Sequence, residues 1–282
     1  MIVEKSADRK NIIFNHSKPT NLIKNLSFNN EFDNENISKT LNCLVFFKRK
    51  IDEFKISDYR CVATEACRTV INPEFFLKKV RETSGLNVDI ISSEEEARLC
   101  LKSCKMYLKK IKQSGLLFDI GGGSTEITFF EPDSIHLKTT SISYGVINYE
   151  EKIQIYGEKN VKKKISDHFS YFYNQNKSLS DKFVSIGSCS TMTTLGSVFQ
   201  NLPFYNPKKI EGLEMSHEQV TNTMKYVNKL SVNDLKGHPC IKEKYKLLKS
   251  GIEILHFIMK TFPIKKTIIT HKGLRDAIVD EL

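Results

Sequence analysis

Apolar positions in this chain fall into two patterns. Short unbroken runs of strand length punctuate it, and between them apolar residues recur at the helical period. The clearest runs are Leu116–Phe118 and Ile127–Phe130, parted by the consecutive glycines Gly121, Gly122 and Gly123, so strand, tight turn and strand are predicted there. Further strands are predicted over Met1–Lys5 and Lys10–Phe14 with a polar turn at Ala7–Arg9, and over Arg60–Ala63, Asn87–Ile91, Ser134–Thr140, Lys182–Ile186 and Lys266–Thr270. Asn21–Asn30 reads as loop. Ile37, Leu41, Leu44 and Ile51 keep the helical period, which predicts a helix over Asn36–Phe54. Asn72 followed by Pro73 is a helix start, and Ser84-Gly85 ends that helix. Helices are also predicted over Glu94–Ile111, Val146–Ile155, Val161–Tyr173, Met192–Asn201, His217–Leu230, Pro239–Thr261 and Gly273–Leu282.

Strands alternating with helices and hairpins imply an α/β chain of two lobes, with a boundary near Gln113–Gly115. The expected domains are therefore residues 1–114 and 115–282, with Arg68 and Glu96 in the first, and with ligand bound in the cleft between them.

Composition narrows the class. Hydrophobic residues make up 40% of the 282 and charged residues 27%, which suits a globular chain with a real core. No apolar run approaches a membrane span, and the first residues lack a signal pattern. Seven cysteines without paired spacing argue against a disulfide framework and for a reducing cytoplasm. Cys100 and Cys104 are expected to be core thiols. A net charge of +10 fits a polyanionic ligand, and it fits equally a bias toward Lys over Arg. No nucleic-acid or membrane partner is expected.

The candidate chemistry centres on Asp119–Glu126. Successive amides of a glycine turn make a concavity for an anion, and Asp119 and Glu126 place two carboxylates beside it. Such a pocket suits a divalent cation held partly by phosphate and water. On the helix predicted after Ser93, the apolar stripe is Ala97, Cys100, Leu101, Cys104, Leu108 and Ile111. Glu95 lies nearly opposite that stripe, whereas Glu96 lies beside it and is better placed to face a cleft. Gly187-Ser188-Cys189-Ser190-Thr191 forms a second turn from strand to helix that could hold phosphate at a helix start.

Ala63–Asn72, Ile90–Arg98 and Asp119–Glu126, in this order, resemble the exopolyphosphatase and guanosine pentaphosphate phosphohydrolase family. Ser143-Tyr144-Gly145-Val146, Ile186–Leu195 and Gly273-Leu274-Arg275-Asp276 add to the resemblance. It implies an actin-like fold of the sugar kinase and Hsp70 type, and Mg2+-dependent release of terminal phosphate from inorganic polyphosphate or pppGpp. In its terms Glu96 activates water, Asp119 is associated with the metal, and Glu126 is the second acidic residue. Gly121, Gly122, Gly123, Ser124 and Thr125 form a phosphate loop, Gly187, Ser188 and Thr191 belong to a distal loop, and Arg68 belongs to a phosphate site in the first lobe. Family members are often dimers, so a homodimer is open to this chain.

Three departures qualify that expectation. The family opens with a strand and a first phosphate loop, whereas Met1–Lys5 looks like the strand after it. Cys189 and Ser190 stand where the distal loop is usually rich in glycine. Lys244-Tyr245-Lys246-Leu247 replaces an arginine-rich segment. An alternative expectation is therefore a shortened relative, weakened or inactive, that binds phosphate-rich ligands. An ATP-using kinase of the same fold is disfavoured by the Glu95-Glu96-Ala97-Arg98 segment.

Overall fold

The computed structural model describes residues 1–6, 9–111, 113–131, 137–176 and 183–282, which form two compact units. One comprises Met1–Ser92 with Leu274–Leu282, the other Ser93–Gly273. Ala7 and Asp8 of the expected first turn, residues 134–136 of an expected strand, and Lys182 lie outside the described residues.

In the first unit β1 (Ile2–Ser6) and β2 (Arg9–Phe14) form an antiparallel hairpin. A four-residue helix, α1 (Leu26–Asn29), occupies the segment expected to be loop. Asn25 and Asn30 bracket it at φ 66° and 58°, a left-handed conformation that asparagine tolerates. There follow α2 (Asn34–Glu53), β3 (Val62–Ala63), α3 (Glu65–Thr69), α4 (Pro73–Ser84) and β4 (Asp89–Ile90). The cap of α4 is as expected: Asn72 accepts a hydrogen bond from the Phe75 amide at 3.2 Å, and Gly85 closes the helix at φ 71°. Ile37, Phe76, Val80 and Leu86 are the buried centre of this unit. Among its described residues β1 pairs with β2 alone and β3 with β4 alone, so there are two separate two-stranded sheets.

The second unit opens with α5 (Ser93–Ser103) and α6 (Lys105–Leu108). A single helix was expected over Glu94–Ile111, but it breaks at Cys104. Ser103 turns its hydroxyl back onto the Cys100 carbonyl at 2.6 Å, a local bond that competes with helix continuation. Both Cys100 and Cys104 are buried, as expected. Then come β5 (Gly115–Ile120), β6 (Thr125–Phe130), β7 (Lys138–Ile142), α7 (Tyr149–Tyr156), α8 (Glu158–Gln175), β8 (Phe183–Gly187) and α9 (Ser190–Phe199). The unit closes with β9 (Glu214–Ser216), α10 (His217–Lys229), α11 (Val232–Gly237), α12 (Tyr245–Thr261) and β10 (Ile264–Ile269). The helix expected over Pro239–Thr261 begins only at Tyr245, because Lys242 takes φ 53° and interrupts it. The last helix, α13 (Leu274–Glu281), belongs to the first unit.

The division between units falls two helices earlier than the expected boundary near residue 114. Helix α5 packs on β6 and β7, so it and Glu96 belong to the second unit. The sheet there has the order β7-β6-β5-β8-β10-β9. Strands β5, β8 and β10 are parallel, β5-β6-β7 is an antiparallel meander, and β9 caps the far edge antiparallel to β10. Every residue of β6 and β8 is buried, and Phe129, Phe183 and Phe262 meet beneath the sheet. Burial of this kind contributes roughly 25 cal/mol per Å² of apolar surface, which makes this sheet the rigid platform of the chain.

Candidate active site

Antiparallel pairing sets Asp119 opposite Glu126 and Ile120 opposite Thr125, leaving Gly121–Ser124 as the connecting loop. The loop is closed by the Gly121 amide donating to the Ser124 carbonyl at 2.9 Å. The three glycine carbonyls are all engaged by one later segment. The Val146 amide donates to Gly121 and the Ile147 amide to Gly122, both at 2.9 Å, and Asn148 Nδ2 donates to Gly123 at 2.8 Å. Asn148 is held in turn by the Gly145 amide, at 2.8 Å. In a trans peptide the C=O and N–H point opposite ways. The amides of Gly122, Gly123 and Ser124 therefore turn away from residues 146–148, as a row of donors suited to an anion.

Glycine is required at position 145, where a Cβ would sit 2.4 Å from both Gly122 C and Gly123 N. This explains Ser143-Tyr144-Gly145-Val146, whose role the sequence did not disclose: it is the back wall of the loop. Thr125 joins it by donating to the Tyr144 carbonyl at 2.7 Å. The Thr125 hydroxyl is thus committed to structure, and Ser124 directs its own toward Glu126.

Three carboxylates share this region. Burial and then the charge of Glu96 push Asp119 up to about 7. Glu126, buried between its neighbouring strands, is raised by burial and then by Glu96. Ser141 donates to Glu126 at 2.8 Å and Cys100 Sγ to Asp119 at 3.5 Å. Glu95 instead forms an ion pair with Arg98, at 2.7 Å. The helix phase read from the sequence thus separates the two glutamates in the structure too.

At the second turn, a Cβ on Gly187 would meet Met192 and Phe118 at 2.6 and 2.9 Å. The Ser188 hydroxyl donates to the Lys272 carbonyl at 2.5 Å. Thr191 Oγ1 is buried, with no hydrogen-bond partner among the described residues, and lies where a Cβ on Gly251 would strike it at 2.1 Å. Cys189 is buried beside Asp119, and burial with that charge raises its thiol to about 12, so it is a neutral, inward-facing group. The structure thus brings Glu96, Asp119, Glu126 and both turns into one unit. Arg68 lies in the other, where it donates to the Ile91 carbonyl at 2.9 Å and pairs with the buried Glu65 at 3.2 Å.

Among the described residues no three His, Cys, Asp or Glu side chains converge so as to hold a metal ion by themselves. The donor set does fit a hard cation that keeps its water and takes phosphate oxygens, since crowded carboxylates need a counter-charge.

The fold and this loop define an actin-like α/β protein. The chain belongs to the Ppx/GppA phosphatase family, whose model matches residues 1–282. The bifunctional 3-dehydroquinate synthase/phosphatase of Fusobacterium nucleatum is 28% identical over 257 residues, covering 84% of this chain and 38% of that protein. The guanosine-5'-triphosphate,3'-diphosphate pyrophosphatase of Photobacterium profundum is 31% identical over 132 residues, 46% of this chain and 26% of its own length. The chain thus spans well under half the length of these relatives. Among solved structures, the Aquifex aeolicus Ppx/GppA phosphatase matches with a TM-score of 0.73 at 24% identity, over 99% of this chain and 93% of that one. An exopolyphosphatase from Cytophaga hutchinsonii matches at 0.80 with 14% identity, over 99% and 91%. Among the described residues no helix is long and apolar enough to cross a membrane.

Proposed function

We propose that this protein is a cytoplasmic phosphohydrolase that releases the terminal phosphate of inorganic polyphosphate or pppGpp with Mg2+. The observation that carries the reading is the joining of Glu96, Asp119 and Glu126 around a glycine loop whose amides face away from its anchors. The amides of Gly122, Gly123 and Ser124 bind the oxygens of the phosphate under attack. Glu96 accepts the proton of the attacking water as its oxygen bonds to phosphorus and the bridging P–O bond breaks. Asp119 would hold the cation through its carboxylate, Glu126 supplies the second acidic group, and the turn at Gly187, Ser188 and Thr191 receives a further phosphate. Arg68, in the other unit, offers a guanidinium to phosphate there. When bound, Mg2+ would neutralise the phosphate charge.

A second reading, a weakened relative that binds phosphate chains without turnover, draws support from the two separate small sheets of the first unit. One assay divides the two: orthophosphate release from long-chain polyphosphate and from pppGpp, with Mg2+ and with chelator. Metal-dependent release supports the hydrolase. Binding with no release from a folded sample supports the second reading.

A further inference from the structure

Glu65 and Arg68 sit where the parallel pair β3-β4 ends. Helix α3 begins soon after β3, with Glu65 as its first residue and Arg68 one turn on. The Ile91 amide donates to the Ala63 carbonyl at 3.0 Å, and the Ile91 carbonyl accepts from Arg68 Nη1 at 2.9 Å. The guanidinium is thus pinned at the carboxyl ends of two parallel strands, the edge at which open α/β sheets take ligands. Residues three apart share a helix face, and along it Glu65 pairs with Arg68.

The pairing is a loose one. Arg68 Nε and Nη2 both reach a single carboxylate oxygen, Glu65 Oε2, at 3.4 and 3.2 Å. A forked pair runs at about 2.7–2.9 Å and uses two oxygens. The other oxygen of Glu65, Oε1, instead accepts from Thr69 Oγ1 at 3.2 Å. Glu65 is nonetheless buried, 8% exposed, so its charge has little water and takes Arg68 as its counter-charge. A phosphate offers the guanidinium two oxygens at once, a geometry that Glu65 does not supply. Drawing Arg68 onto phosphate leaves a buried carboxylate uncompensated, and the pair re-forms when the phosphate leaves.

We propose that Glu65 is a positioning residue that competes with phosphate for Arg68: it holds the guanidinium before phosphate arrives and takes it back as product departs. The proposal rests on the reading of Arg68 as a phosphate-binding group. Its consequence is release over retention, because anion affinity is held down and product exit is made faster. Glu65→Gln isolates the charge. The new amide oxygen accepts from Arg68 and the amide nitrogen donates to the Thr69 hydroxyl, so both contacts are kept and the charge alone is lost.

The test is calorimetric binding of inorganic tripolyphosphate to the intact protein in chelator, where the proposed hydrolysis is arrested. Arg68→Gln is expected to weaken binding about tenfold and Glu65→Gln to tighten it about tenfold. Glu65→Asp, which keeps the charge, is expected to stay within about threefold of wild type. On an Arg68→Gln background the gain from Glu65→Gln is expected to fall below about twofold, since the competition has lost its object. Steady-state release from polyphosphate should show KM falling with the dissociation constant, and kcat falling about threefold as product lingers. Unchanged or weaker tripolyphosphate binding in Glu65→Gln overturns the proposal, and so does Arg68→Gln without effect. An equal gain without Arg68 overturns it too, because Glu65 would then act on the anion directly. Tightening through Arg68 in a protein that releases no phosphate with Mg2+ sustains the proposal and removes the hydrolase reading instead.

Discussion

Asp119 and Glu126 face each other across β5 and β6 as directly paired residues, so the hairpin that makes the loop also makes the acidic pair. Side chains opposed in this way lie on one face of the sheet, close enough for like charges to raise one another. Glu96 of α5 adds a third charge to that face.

This arrangement predicts that Glu96→Gln lowers phosphate release by about 10²–10⁴-fold, the range of a lost general base, while polyphosphate binding persists. Glu95→Gln is expected to stay near wild type, because Glu95 is engaged with Arg98. Steady-state rates with an equilibrium binding assay check both. The reverse ranking would put the wrong face of α5 at the site.

Asp119→Asn is expected to raise the Mg2+ concentration needed for half-maximal rate by at least about tenfold. Chelator should abolish phosphate release by the wild type, and added Mg2+ should restore it. A magnesium titration of both proteins tests this, and release that is insensitive to chelator would remove Asp119 from its proposed role.

Asn148→Ala removes two buried hydrogen bonds, one to the Gly123 carbonyl and one from the Gly145 amide. The expected loss of stability is about 2–3 kcal/mol, since two backbone groups are left unpaired. Urea unfolding measures it. Gly145→Ala is expected to be worse for phosphate binding than for stability, because its methyl group meets the loop backbone itself.

Away from the site, Glu211 links Tyr107, Thr270 and His271. Burial would raise its carboxyl, but hydrogen bonds from His271 and Tyr107, followed by Thr270, overcome this and hold it at about 2 against an ordinary 4.5. A lowered folded value means that the stabilisation is complete above about 4.5 and is lost as pH falls toward 2. Glu211→Gln is therefore expected to cost at most about 3 kcal/mol at neutral pH, with the gap to wild type closing on acidification. Denaturant unfolding from pH 7 down to pH 2 follows it; a gap independent of pH would contradict the assignment.

Much of this was legible in the sequence, and the reasons differ by element. The hairpin around Gly121–Gly123 was readable because both flanking strands are buried on both faces and so appear as unbroken apolar runs. The different settings of Glu95 and Glu96 were readable because helix phase is a local property. The break at Cys104 was not, since the apolar stripe continues through it to Ile111, and only the Ser103 back-bond marks it. Strand β9, three residues long, is defined by its partner β10 and carries no period of its own. The boundary at Ser92 depends on α5 packing against β6 and β7, a long-range contact. Asn148 is a lone polar residue ahead of a helix, and its importance appears only when the chain returns to the loop 25 positions earlier.

That return has a thermodynamic consequence. A glycine-rich loop left to itself would lose much conformational entropy on closing around a ligand. Here residues 146–148 hold all three glycine carbonyls, so the ordering occurs when the chain folds and not when the ligand arrives. Anion binding at this loop should accordingly show a small entropic penalty by calorimetry, and that penalty should grow in Asn148→Ala, where the loop regains its freedom.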